Sequence, residues 1–442
     1  MKKLYISMMC LAFLISCKTT TIAQSKYLKK VNEIKRQINQ TDLGKNYNGS
    51  ILIADGENIL FKASYGFSTS KEPNQIETRY EIASMGKMFT SIAVMQLIEN
   101  GKLNLQQTIG DVLKDYPNQD AKRITVQQLL SHTSGLGDFF SPEFDRKKET
   151  IKTLKDYLPF FVNDPLEFEP GAQMRYSNAG FIVLGLIIEK LSNSNFNTYI
   201  SKHIFQPAKM SSTGPLTSTA GGGTSTVYDL HKFAVSLNNN TLINASSFIA
   251  MTTNHFSNGY GYGMSLRDLN GKRIYGHNGG APGVSGELDL VIGEPLIIIT
   301  MSNRSAMDGW AQVRTNIRKE FFGMTPEIQE FLNTEKVVHM YQKEGLKEAS
   351  KLLSKLDNNI SDKNTFRFAQ QYMGQRQLGK AIDILKLIVQ AYPDQWYPYS
   401  FLADFQLQAG KKEEAIKNYK KSLEFNPKNE QAIEQLKKLR QD

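Results

Sequence analysis

The spacing of hydrophobic positions changes period along the chain. Ser50-Ile51-Leu52-Ile53-Ala54 and Ile59-Leu60-Phe61-Lys62 flank Asp55-Gly56-Glu57-Asn58, which predicts a β-hairpin over residues 50–62. From Ser84 to Asn100, Met88, Ile92, Met95 and Ile98 recur every three to four residues, which predicts a helix that Gly101 stops. Thr125-Val126-Gln127-Gln128 reads as a capping box opening another short helix. Ala179 to Ser192 is apolar nearly all round, the pattern of a buried helix. Strands return at Arg273–His277, Leu288–Ile292 and Leu296–Met301, the last two joined at Gly293-Glu294-Pro295. Strands at both ends with helices between predict an α/β (α+β) fold: one antiparallel sheet flanked by helices, with a helical insert.

After about residue 325 the strand pattern ceases. Ala369 aligns with Ala403, Ala381 with Ala415 and Pro393 with Pro427, an internal repeat of 34 residues. Gly410-Lys411-Lys412-Glu413-Glu414-Ala415-Ile416 falls where a tight helix–helix turn is wanted, and residues 335–358 look like a degenerate earlier copy. This tail resembles a tetratricopeptide array, which implies an all-α repeat domain. Its aromatics Trp396, Tyr397, Tyr399 and Phe401 read first as helix–helix core. Such arrays take a protein or peptide partner, or simply cap the domain before them, and the sequence favours neither. The expected organisation is a signal segment over 1–24, a first domain over 25–325 and a repeat domain over 326–442.

Composition narrows the chemistry. The chain has 442 residues and two cysteines, Cys10 and Cys17, both near the start, so disulfides and cysteine zinc sites are excluded from the body. The six histidines show no HExxH or HxH pairing, and no metal or organic cofactor is expected. Lys2 and Lys3 precede an apolar stretch from Leu4 to Ile15, a targeting segment too short to anchor stably across a bilayer. Leu14-Ile15-Ser16-Cys17 resembles a bacterial lipobox, with Cys17 lipidated as the mature N-terminus. Thr21-Ile22-Ala23 offers ordinary signal cleavage instead. Either route places the protein outside the cytoplasm, periplasmic or anchored to a membrane as a lipoprotein. The net charge is +10, but residues 331–442 interleave 19 basic with 14 acidic side chains along helical patterns. That is a solvated helix surface, and nucleic acid is not expected as a partner.

The chemistry starts at Ser84-Met85-Gly86-Lys87, where i, i+3 spacing at a helix start sets Ser and Lys on one face. Serine becomes a nucleophile only when a base takes its proton, and a partly desolvated lysine contributes to that. Tyr176-Ser177-Asn178 follows Glu169-Pro170-Gly171 and opens the buried helix, and His277-Asn278-Gly279-Gly280 ends a later strand. In this order SxxK, YxN and HxG resemble the serine β-lactamase and penicillin-binding protein superfamily, class C β-lactamases and their relatives in particular. The resemblance covers residues 28–322. It extends to the runs Leu130–Leu136, Ala220–Thr226 and Tyr260–Gly263.

The resemblance implies a β-lactamase/transpeptidase-like fold and a role for each matching residue. Ser84 is the nucleophile that forms an acyl-enzyme, Lys87 shares protons with it, and Tyr176 is the general base. A tyrosine serves as base only where cationic neighbours favour its phenolate. Asn178 bonds the lysine and the substrate, and His277, Asn278, Gly279 and Gly280 line the substrate side. The N–H groups of Ser84 and Gly280 match the oxyanion-hole positions. Class C enzymes carry Lys-Thr-Gly where this chain has His277-Asn278-Gly279. An unperturbed histidine is mostly neutral at neutral pH and attracts a substrate carboxylate less than lysine does. That change counts against efficient β-lactam hydrolysis and leaves peptidase, amidase and esterase activity open. The expected function is an exported serine hydrolase acting on D-amino-acid or peptidoglycan-type amides, DD-peptidase-like. A carboxylesterase of the same fold is one alternative; a non-catalytic scaffold that binds wall fragments through its repeats is another. His132 reads as a structural turn residue and Gly221-Gly222-Gly223 as a loop lining the cleft. Phe139, Phe140, Phe160 and Phe161 read as pocket wall or as core of the insert.

Overall fold

Alternating side chains explain the sheet in the computed structural model, which describes residues 25–40, 42–68 and 71–441. The predicted signal segment and Cys17 lie outside the described residues. The expected hairpin is β1 (Gly49–Asp55) and β2 (Asn58–Tyr65). Two short strands, β3 (Tyr80–Glu81) and β4 (Thr224–Ser225), pair with each other. Four strands follow: β5 (Ser265–Leu269), β6 (Lys272–Ala281), β7 (Val284–Val291) and β8 (Leu296–Ser302). The main sheet runs β2-β1-β8-β7-β6-β5, antiparallel throughout, so the N-terminal hairpin closes against the last strand.

On β1, Leu52 and Ala54 face a large apolar core shared with the helical insert, whereas Ile51 and Ile53 face a second core on the other side. The same alternation on β8 sends Ile297 and Ile299 to the first core and Leu296 and Ile298 to the second. Helices Lys87–Glu99 and Asn178–Ser192 fill the first core. Both are buried nearly all round, so the three-to-four recurrence marks only part of the buried surface of the Lys87–Glu99 helix. Helices Leu28–Gln40 and Ala311–Phe322 cover the second face. Thr125 caps Val126–Leu130 by accepting the Gln128 N–H with its side chain, and its own N–H donates to the Gln128 Oε1, as the capping box predicts.

The tail is helical throughout. Helices begin at Asp362 and Leu378, and again at Trp396 and Lys412, each 34 residues after its counterpart, so the sequence repeat is a repeat of helix pairs. Two earlier helices, Pro326–Glu344 and Leu346–Lys355, occupy the degenerate copy. The second core does not stop at residue 325. Trp310, Val313 and Ile317 belong to the same apolar cluster as Phe331, Val337, Leu385 and Phe405.

Candidate active site

Ser84, the candidate nucleophile, sits on a tight turn. Ala83–Gly86 is a 3-10 helix that runs into the Lys87–Glu99 α-helix. In a 3-10 turn residues i and i+3 eclipse, which stacks Lys87 over Ser84 more directly than an α-helix start would. Ala83 holds φ at 43°, a left-handed conformation that a non-glycine residue adopts only when its surroundings enforce it. Those surroundings are backbone. Gly222 donates its N–H to the Ala83 carbonyl at 3.0 Å, and the Ile82 N–H reaches the Gly223 carbonyl at 3.1 Å. The glycine run therefore backs the nucleophile turn. On the opposite side β6 presses so close that a Cβ on Gly279 would lie 2.0 Å from the Ile82 carbonyl oxygen.

Lys87 is fully buried and makes three contacts. Its Nζ lies 2.7 Å from Asn178 Oδ1, 2.6 Å from the Ala220 carbonyl and 3.3 Å from Ser84 Oγ. The Asn178 amide orientation follows from its other end, where Nδ2 donates to Asp138 Oδ2 at 2.8 Å. Burial lowers the Lys87 pKa to about 7, against a smaller opposing pull from Asp138. A neutral amine has two N–H bonds and one lone pair. Two of its neighbours here, Asn178 Oδ1 and the Ala220 carbonyl, can only accept. The lone pair is left facing the Ser84 hydroxyl.

Tyr176 contacts the same hydroxyl, and Lys87 Nζ stands 4.8 Å from its ring centre. Tyr176 is 38% exposed, yet burial at its hydroxyl end pushes the phenol pKa well up, despite the bond to Ser84. That shift disfavours the phenolate form of Tyr176, the residue that the resemblance gives as general base. Of the two groups, Lys87 is the one whose free base is populated near neutral pH.

His277 is buried and bonded at both ring nitrogens. Its Nδ1 lies 2.6 Å from the Asn278 carbonyl, which can only accept, so Nδ1 carries the proton and Nε2 accepts from the Tyr260 hydroxyl at 2.8 Å. Burial and the nearby Lys87 lower its pKa to about 3, so it is neutral. It offers a substrate no charge and no free donor. Asn278 lies opposite Glu287 on β7, and Gly280 opposite Ser285, near the strand end. Of the aromatics, Phe139, Phe144, Tyr157 and Phe161 are core of the insert, and Phe140 is 63% exposed.

The structure thus brings Ser84, Lys87, Tyr176 and Asn178 together. It adds three partners that sequence reasoning did not assign: Asp138, the Ala220 carbonyl and Tyr260. Each lies within or beside a run singled out by the resemblance, but only the fold shows what it touches.

Residues 44–320, more than half of the chain, match the Beta-lactamase family. Penicillin-binding protein 4* of Bacillus subtilis (strain 168) is 30% identical over 313 residues, covering 58% of this chain and 68% of that protein. Protein flp of Staphylococcus aureus (strain MW2) is 31% identical over 192 residues, covering 41% of this chain and only 38% of its relative. Among solved structures, the penicillin binding protein from Bacillus halodurans superposes with a TM-score of 0.56 at 30% identity, covering 63% of this chain and 99% of that one. A D-amino acid amidase from Ochrobactrum anthropi SV3 shares the fold at TM-score 0.55 and 20% identity, over 66% of this chain and 98% of its own. By sequence, fold and the order of its motifs, this chain belongs to the beta-lactamase family of serine hydrolases.

Proposed function

We propose that the protein is an exported serine hydrolase that opens amide bonds in D-amino-acid peptides of the peptidoglycan type through a Ser84 ester. The observation that carries this is the placement of Lys87 Nζ 3.3 Å from Ser84 Oγ beside two oxygens that can only accept, which leaves the lone pair of the neutral amine for the Ser84 hydroxyl. Lys87 takes the Ser84 proton as Oγ attacks the substrate carbonyl carbon. The Tyr176 hydroxyl, which orients Ser84 Oγ, gives its proton to the departing amine, and the Lys87 ammonium restores it. Water then attacks the ester by the reverse sequence, returning the proton to Ser84 and releasing the acid. The Ser84 and Gly280 N–H groups are the proposed donors to the oxyanion. The relationship to penicillin-binding proteins and the fold shared with a D-amino acid amidase support the substrate class. Export rests on the Lys2-Lys3 start and the apolar stretch that follows.

A carboxylesterase is a second reading, favoured by His277, which gives a substrate carboxylate no cation at the third motif. Turnover measured side by side on a D-Ala-D-Ala peptide, a D-amino acid amide and p-nitrophenyl acetate separates the two. Cleavage of either amide supports the proposal; ester turnover with both amides untouched contradicts it.

A further inference from the structure

We propose that His132 is the positioning residue of Tyr176, fixing its backbone on both sides and its ring on one face. The inference rests on the acyl-enzyme reading above. His132 is 1% exposed and holds φ at 60°, a conformation that confirms the turn but does not explain the imidazole. Its carbonyl accepts the Arg175 N–H at 2.9 Å, and its Nδ1 accepts the Ser177 N–H at 3.1 Å. The residue between them is Tyr176, so one side chain and its own backbone clamp the tyrosine from both neighbours. The imidazole also lies against the Tyr176 ring, with centroids 4.1 Å apart and planes 33° from parallel. Tyr260 at 4.7 Å and Phe181 at 5.2 Å also pack against the imidazole.

Because Nδ1 accepts, the proton sits on Nε2 and the ring is uncharged. Protonation would set one N–H against another. Burial and the adjacent Lys87 charge act in the same direction and hold the ring far below the usual histidine range. Nε2 is buried without a hydrogen-bond partner. Leaving that bond unmade carries a desolvation cost that a phenylalanine or leucine packed in the same turn would not incur. Packing alone therefore gives no reason for a histidine here. The acceptor for Ser177, set on a flat ring that lies over Tyr176, does.

His132→Asn keeps an acceptor and tolerates the left-handed backbone while losing the stacked ring. His132→Phe keeps the ring and loses the acceptor. The readout is the rate of Ser84 labelling by a fluorophosphonate at saturating probe, together with the half-saturating concentration. Each variant should slow labelling about tenfold or more with half-saturation within about twofold of wild type. In a Tyr176→Phe background, itself slow, adding His132→Asn should cost less than about twofold further, because the effect passes through the missing hydroxyl. If His132→Phe does not fold, the asparagine cycle decides alone. His132→Asn labelling at the wild-type rate, or losing the same factor on top of Tyr176→Phe, overturns the proposal and leaves the acyl-enzyme reading intact. Wild-type labelling in Tyr176→Phe removes Tyr176 from the mechanism and the proposal with it. No labelling of the wild type contradicts the hydrolase reading itself.

Discussion

In the proposed mechanism Ser84 and Lys87 work as a pair because Lys87 is buried away from solvent. A lysine amine in solution is a cation, and a cation cannot take a proton; burial moves Lys87 to about 7, where the free amine is abundant. The direction of that shift sets a pH dependence. As pH rises through about 7 the neutral fraction grows, so the Ser84 labelling rate should climb and then level above it. A rate that stays flat across that range would contradict Lys87 as the base. Lys87→Arg, which holds a permanent charge, should lower labelling at least about a hundredfold at every pH. At this scale much was legible in the sequence: SxxK, YxN and HxG name residues that meet in space. Asp138 and the Ala220 carbonyl were not, because a carboxylate and a backbone oxygen carry no signature until the chain folds them onto Asn178 and Lys87. His277 was legible as a residue, but its neutrality comes from burial and from the nearby Lys87, which spacing does not reveal.

Two close backbone approaches shape the elements around the nucleophile. Gly279 on β6 and Gly221 in the loop before β4 both abut the Ile82–Ser84 segment, and a Cβ on Gly221 would lie 2.3 Å from the Ala83 carbonyl oxygen. Backbone cannot move aside as a flexible side chain can. Gly279→Ala should therefore displace the 3-10 turn, cutting Ser84 labelling by about a hundredfold or more while most of the fold remains. Labelling at the wild-type rate, with circular dichroism unchanged, would show that this approach is unimportant. The hairpin, the buried helix and the capping box were all readable from periodicity. β5 was not, since Ser265–Leu269 is a mostly half-buried edge strand whose Arg267 and Asp268 break the alternation. β6 and β7 also run further than their apolar cores suggest. β6 continues through Asn278-Gly279-Gly280, and β7 carries Glu287 and Asp289, which face charges and not the apolar core.

Across the molecule, those two carboxylates anchor a buried charge network. Arg318 grips Asp289 through Nε and Nη2 at 2.8 and 2.9 Å and also reaches Glu287 at 3.0 Å, while Arg267 reaches Glu287 at 3.1 Å. Burial alone would raise the Glu287 pKa, but Arg318, Arg267 and Arg314 outweigh it and hold it at about 2, against 4.5 in the open chain. With the folded value depressed, this stabilisation is complete above 4.5 and is lost as pH falls toward 2. The melting temperature should drop steeply over that interval, and Glu287→Gln should flatten the drop; an unchanged slope would contradict the account. Arg318→Met removes the two-point partner of buried Asp289 and should cost about 3–5 kcal/mol in denaturant unfolding. The apolar cluster that joins Trp310 and Val313 to Phe331 and Val337 makes a second prediction. A chain ending at residue 325 should melt well below the full chain or aggregate, whereas an equal melting temperature would mean that the body is independent of its tail. The repeat was legible in the sequence as a period; that its first helices share the core of the sheet was not, because no periodicity records which face meets which neighbour.

The central claim is the ester on Ser84. Intact-protein mass spectrometry after brief exposure to a fluorophosphonate, benzylpenicillin and p-nitrophenyl acetate tests it most directly, with peptide mapping of any adduct. A single added mass should map to Ser84 in the wild type and be absent from a folded Ser84→Ala variant. An adduct that persists in Ser84→Ala, or maps to another residue, would contradict the account.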